Sequence, residues 1–241
     1  MALLLTVLAL ALVLDLLVLV VLLPSLLIRL LLVPLYPEVV WCGRGRQKTL
    51  ALTIDDGPSG PGSEALLALL RDLEVPATFF LIGSHLERDH RFARRALQQG
   101  HDLGNHLWRD QRSAALPPQP FQQQLVETER AIARAAAPAR LHWRWFRPGG
   151  GWFHRTMLDA LAARSYRLVL GSIFPWDTLR PPLWFVRLFV RLNAHPGGIL
   201  VLHDTPDLSG RTLETLRLIV PDLRRRGYCF VPLQELLATA P

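Results

Sequence analysis

Thr49-Leu50-Ala51-Leu52-Thr53-Ile54-Asp55-Asp56-Gly57-Pro58 is the stretch that decides how this chain folds. Its first six residues read as a buried strand, and the Gly-Pro that follows turns the chain. Asp55 and Asp56 stand where that strand ends. Neighbouring side chains diverge from a strand, so the two carboxylates can hold different jobs at the mouth of one pocket, one as metal ligand and one as base. Carboxylates this close do not both stay ionised without a cation or an arginine nearby, so the pair predicts a positive partner. An ordinary Asp-rich turn uses the same residue types, and the rest of the chain must separate the two cases.

Three more polar clusters sit at the ends of apolar runs. They are Gly100-His101-Asp102-Leu103-Gly104-Asn105-His106-Leu107-Trp108-Arg109-Asp110, then Trp145-Phe146-Arg147-Pro148-Gly149-Gly150-Gly151-Trp152, then Gly198-Ile199-Leu200-Val201-Leu202-His203-Asp204-Thr205. Strand-like runs are expected at Leu50 to Ile54, Ala77 to Ile82, His101 to Asn105, Trp143 to Phe146, Arg167 to Ser172, Ile199 to Leu202 and Tyr228 to Val231. Helical patterns fall between them: Ser63, as a cap, to Leu70; Asp89 to Leu97; Pro120 to Ala136; His154 to Ala163; Pro182 to Leu192; and Leu208 to Arg226, kinked or divided near Pro221. Alternating strands and helices mark a mostly parallel sheet, and polar clusters at the strands' C-terminal ends fit a barrel with its site at that rim.

In this order and spacing the clusters resemble the motifs of the polysaccharide deacetylase family, also called the NodB-homology family or carbohydrate esterase family four, over roughly residues 48–236. The resemblance implies an α/β fold, a distorted (β/α)7 barrel one unit short of the standard eight. It also implies metal-dependent hydrolysis of N-acetyl groups on amino-sugar polymers or oligomers, such as peptidoglycan, chitin-like oligomers or exopolysaccharide. Hydrolysing an acetamide needs an activated water, a stabilised oxyanion and a proton for the leaving amine.

By resemblance Asp55 is the base, Asp56 and His106 are metal ligands, Arg147 holds the base in place and His203 is the acid. The usual third ligand is a second histidine four residues after the first, and here that place is Asp110, which resembles a subgroup reading Asn-His-x-x-x-Asp. A carboxylate four residues along a helical turn returns to the same face and can bind the same metals; alternatively Asp110 caps a helix. Zinc is the expected ion, with cobalt or manganese as alternatives. The usual aromatic of the arginine motif is replaced by Gly150, so Trp152 or Phe153 is expected to supply the missing wall. Pro148, Gly149, Gly150, Trp152, Trp176 and Leu202 are the expected substrate contacts, and Asp177 the acid that orients His203, with Asp204 as competitor. His85, His90, His101, His142, His154 and His195 match no motif and are expected to be surface or structural. Two other functions stay open: a catalytically impaired glycan-binding or membrane-scaffold module, and an amidase or esterase for a different acyl group.

From Ala2 to Leu23 only Asp15 is charged, and a further apolar stretch reaches Tyr36 with Arg29 its one charge. About 20 apolar residues suffice to span a bilayer, so residues 1–36 are expected to be an uncleaved transmembrane anchor, 37–47 a linker and 48–241 the catalytic domain. Arg29, Arg44, Arg46 and Lys48 follow the span, which by the positive-inside rule puts the domain in the cytoplasm. The resemblance implies the opposite side, and a single-pass protein with an extracytoplasmic domain is expected.

The formal charge of +7 is an arginine excess, since Lys48 is the only lysine. A basic face suits anionic lipid or acidic glycan, whereas no nucleic-acid motif accompanies the arginines. Cys42 and Cys229 lack zinc-site spacing and are expected to be plain thiols.

Overall fold

The structure, a computed structural model, describes residues 1, 6–7, 19–137, 139 and 144–238. Seven parallel strands form one sheet: β1 (Thr49–Asp55), β2 (Ala77–Leu81), β3 (Asp102–Asn105), β4 (Trp145–Phe146), β5 (Arg167–Leu168), β6 (Gly198–His203) and β7 (Cys229–Phe230). Their order is β5-β4-β3-β2-β1-β6, with β7 beside the start of β1. The sheet is a curled half-barrel with helices around it. Its ends approach each other where the chain after β5 bridges to β6, Ile173 against Leu200. Every expected strand is present; Trp143 lies outside the described residues.

The helices are α1 (Pro61–Asp72), α2 (Gly83–Arg88), α3 (Phe92–Gln98), α4 (Pro118–Ala136), α5 (Arg155–Ala162), α6 (Leu183–Asn193), α7 (Ser209–Arg225) and α8 (Leu233–Ala238). Two, α2 and α8, have no counterpart in the sequence-based expectation, being a turn or two long and therefore without a readable period. Ser63 is not a cap: α1 starts at Pro61, and the buried Ser63 hydroxyl donates to Asp204 instead. His154 does cap α5, its Nδ1 accepting from Met157 N at 3.2 Å. The α7 helix runs unbroken across Pro221.

Strand alternation sorts the side chains. Leu50, Leu52 and Ile54 of β1, Phe79 and Leu81 of β2, and Leu200 and Leu202 of β6 join the core under the helices, with Leu66, Leu70, Phe189 and Leu216. The intervening Ala51, Phe80 and Ile199 belong to a separate cluster with Trp145 and Val169 on the sheet's other face. Thr53 and Asp55 of β1 and Val201 and His203 of β6 share that second parity, which turns them toward the inside of the curl. Such two-sided burial is what a parallel sheet under helices requires.

Within the expected linker 37–47, residues 39–43 pack on the domain, while 37–38 and 44–47 are exposed. Val39, Val40 and Trp41 are buried, Val40 N donates to Leu168 O at 2.8 Å, and Gly43 N donates to Gly197 O at 2.7 Å. Ahead of it, short helical pieces from Pro24 to Leu35 lie on the domain, with Ile28 buried. No described helix is long and apolar enough to cross a membrane; residues 2–5 and 8–18 of the expected anchor lie outside the described residues. Cys42 and Cys229 are free thiols.

Phe79 is fully buried, with edge-to-face contacts to Phe92 at 5.1 Å and His101 at 5.4 Å. Phe79→Ala is expected to destabilise the domain by about 3–5 kcal/mol, read as a lower midpoint in chemical denaturation.

Candidate active site

The polar side chains of interest all leave the C-terminal ends of strands, where backbone pairing stops and side chains can converge on solvent. Asp55 is the last residue of β1, His106 follows β3, Arg147 follows β4, and His203 ends β6. Asp55 and Arg147 are each 3% exposed. Arg147 Nη1 donates to Asp55 Oδ1 at 2.6 Å and to Thr53 Oγ1 at 2.8 Å, and Nε donates to Val169 O at 3.0 Å. Its guanidinium lies 4.2 Å from the centroid of the Phe80 ring. That ring has room because residue 104 is glycine; a Cβ there would stand 2.5 Å from Phe80 Cδ1. Arg147 is thus the positive partner that the adjacent carboxylates demand, and burial lowers its pKa from an ordinary value high enough that it stays charged.

Asp56 takes a left-handed backbone conformation, φ 71°, which turns its side chain away from that of Asp55. Its Oδ1 lies 3.3 Å from His106 Nε2. The other ring nitrogen, Nδ1, donates to the Arg147 carbonyl at 2.7 Å, which fixes the ring and aims Nε2 at Asp56. Burial works against charge on both groups, but their mutual hydrogen bond and the surrounding opposite charges win: the Asp56 pKa is lowered and that of His106 raised. Two donors each 2.0–2.1 Å from one tetrahedral zinc lie about 3.3–3.4 Å apart, so the Asp56–His106 spacing fits a shared divalent ion. His85, expected to be surface or structural, donates from Nδ1 to the Asp56 carbonyl at 2.8 Å and so supports this turn.

His203 is held twice by Asp177. Its backbone N donates to Asp177 Oδ2 at 2.9 Å and its Nδ1 to Asp177 Oδ1 at 2.9 Å. Burial opposes charging of the ring, yet the Asp177 hydrogen bond and charge, with Asp55 and Asp56 behind them, push its pKa up to about 9. Asp204 does not compete for this duty. It is buried, accepts from Ser59 Oγ at 2.6 Å and from Ser63 Oγ, and burial raises its pKa despite those bonds.

These groups line one cleft of about 630 Å³. Asp55, Asp56, His106, Asp110, Arg147, Asp177 and His203 all reach it, as do Pro148, Gly149, Gly150 and Trp176. Two expected contacts do not. Leu202 has the outward parity of β6 and sits in the core, while Val201 faces the cleft. Trp152 is 75% exposed and lies off the cleft wall, and Phe153 packs against Tyr36 and Trp41. Asp110 lines the cleft from an exposed bend, not a helical turn, and the short helix after it is preceded by Arg112, so neither a helical return nor a cap applies. Among the described residues no three His, Cys, Asp or Glu side chains are grouped tightly enough to hold a metal ion.

The family model for polysaccharide deacetylase matches residues 43–169. The chain belongs to the polysaccharide deacetylase family. A peptidoglycan-N-acetylglucosamine deacetylase of Bacillus cereus is 29% identical over 201 residues, covering 83% of this chain and 92% of that one. A chitooligosaccharide deacetylase of a Bradyrhizobium strain is 30% identical over 200 residues, covering 78% and 90%. Among solved structures, a peptidoglycan N-acetylglucosamine deacetylase superposes with a TM-score of 0.78 at 26% identity, covering 84% of this chain and 94% of that one. A carbohydrate esterase family 4 pseudoenzyme from Bacillus anthracis superposes at 0.72 and 26% identity, covering 81% and 67%. Polysaccharide deacetylases are generally metal-dependent, and in this member Asp56 and His106 are the two groups already facing one another.

The raised His203 pKa ties stability to pH. Protonation is worth most where the unfolded ring, with its ordinary value of 6.5, is still charged, and the contribution fades as pH rises through about 9. Asp177→Asn is expected to return the His203 titration to near or below 6.5 and to flatten the alkaline loss of stability. Ring-proton NMR titration alongside melting curves checks both; an unmoved His203 titration would count against the pairing.

Proposed function

We propose that the cleft hydrolyses N-acetyl groups of amino-sugar glycans such as peptidoglycan, chitin-like oligomers or exopolysaccharide. The observation that carries this is the convergence of an Arg-held carboxylate and an Asp-held histidine on one cleft, with Asp56 and His106 beside them. Asp55, kept in place by Arg147, takes the proton of the attacking water. His203, kept protonated by Asp177, gives a proton to the departing amine nitrogen, without which the C–N bond does not break. Asp56 and His106, with Asp110 as third candidate, would hold a divalent ion, zinc first and cobalt or manganese next, which when bound polarises the acetyl oxygen and acidifies water. In the glycine loop, Gly149 N–H donates to Ser113 Oγ and Gly151 N–H to Pro148 O, so Gly150 N–H is the donor we assign to the developing oxyanion. Acetylated glycans are the substrates named for the relatives, which supports the substrate class.

The rival is a glycan-binding module without turnover, favoured by the lack, among the described residues, of a three-membered group of His, Cys, Asp or Glu fit to hold a metal ion. Acetate release from N-acetylglucosamine oligomers, after chelation and after adding back zinc, cobalt or manganese, separates the two. Metal-restored acetate supports hydrolysis; no acetate with any ion supports the module.

Asp55→Asn and His203→Ala are each expected to lower the rate by about 10² or more, with metal still bound. Full activity in either variant would remove that residue from its role. The alkaline limb of the rate profile is expected near pH 9, where His203 loses its proton, and Asp177→Asn should move it toward acid.

A further inference from the structure

Helix α6 has two faces. Val186, Phe189, Val190 and Asn193 are buried against the domain, whereas Trp184, Leu188 and Leu192 are 66%, 45% and 48% exposed. The latter three recur every four residues, so they form one apolar row along the helix. Single exposed leucines are ordinary, but a contiguous row calls for a partner. Arg187 and Arg191 flank it, and Arg226 joins them around an open groove of about 750 Å³ between α6 and α7. Asp222 behind the groove pairs with Arg187 at 2.9 Å and Arg191 at 3.6 Å, which leaves the groove with net positive charge.

At its C-terminal end α6 is joined to the most apolar part of the chain. Asn193 Nδ2 donates to Leu22 O at 2.7 Å, and Ser25 N donates to Asn193 Oδ1 at 3.1 Å. On the helical pieces that follow, Leu26, Leu30, Leu31 and Leu35 are 41–65% exposed.

We infer that α6 and the N-terminal helical pieces dock the domain on the surface of an anionic lipid bilayer. An apolar row carrying a tryptophan and bordered by arginines matches the depth profile of a leaflet, with tails taking the row and headgroup phosphates the guanidinium groups. Each uncompensated cation near such a surface strengthens binding by about fivefold. A second copy fits the same face poorly, because a two-fold contact sets its arginines against one another. Pro24 lines the catalytic cleft, and Trp176 Nε1–H donates to Val21 O at 3.4 Å. The docking surface and the cleft therefore share a wall, and the cleft opens beside the leaflet.

The full chain in vesicles of phosphatidylcholine alone, or mixed with phosphatidylglycerol, both with brominated acyl chains, tests this through tryptophan quenching. The docked face predicts a quenched component that is lost in Trp184→Phe, reduced in Leu188→Glu, stronger in the anionic vesicles and weakened by salt. Equal quenching in wild type and Trp184→Phe in anionic vesicles would overturn it. So would a concentration-dependent dimer in detergent that Leu188→Glu abolishes, since a second copy would then cover the row. Neither readout depends on deacetylation, so failure of the proposed reaction leaves this result interpretable.

Discussion

One buried guanidinium ties the site together. Arg147 bonds Asp55 and Thr53 on β1 and the Val169 carbonyl just past β5, and lies over Phe80 of β2. Thr53 passes the connection to β6 by donating to the Leu200 carbonyl at 2.9 Å. A charge this deep costs several kcal/mol in lost hydration, and only the close carboxylate with its additional hydrogen bonds offsets that. Removing either partner leaves the other buried and unmatched, a loss of about 3–5 kcal/mol, so position and charge of the would-be base are set by the fold itself.

Around that pair the ionisable groups are pulled in different directions. Asp177 keeps His203 protonated well above neutrality, while His106 and Asp56 hold each other. The distinction between the two histidines lies in their partners. His203 turns Nδ1 to a carboxylate and is charged by it; His106 turns Nδ1 to a main-chain carbonyl and keeps Nε2 for Asp56. The same side chain, at the strand ends of one sheet, thus gives one ring charged by a carboxylate and one ring turned by a main-chain carbonyl.

Much of this was legible in the chain. The strand ends at Asp55, His106, Arg147 and His203 announce themselves because an apolar run stops at a polar residue, a local signal. Leu202 and Val201 show how the same signal is misread: period two puts Val201, not Leu202, on the side of His203, and alternation should outrank bulk. The helical return expected at Asp110 is absent for a local reason, since Leu107 adopts a positive φ of 65° and the following residues form a bend. The contributions of Thr53, Ser59, Ser63 and His85 left no mark, because hydroxyls and a ring that bond across the fold have no sequence period. The packing of residues 39–43 was missed for the same reason: Val40 pairs with Val169 and Trp41 packs on Phe153, both more than 100 residues along the chain.

Arg147 serves the site through two different parts of itself. Its side chain steadies Asp55, but it is the carbonyl that orients His106, and every amino acid has a carbonyl. Genetic change at this position therefore reaches only half of what the residue does. A lineage that lost the guanidinium would strand Asp55 without its buried partner, yet His106 would still be turned by the same carbonyl.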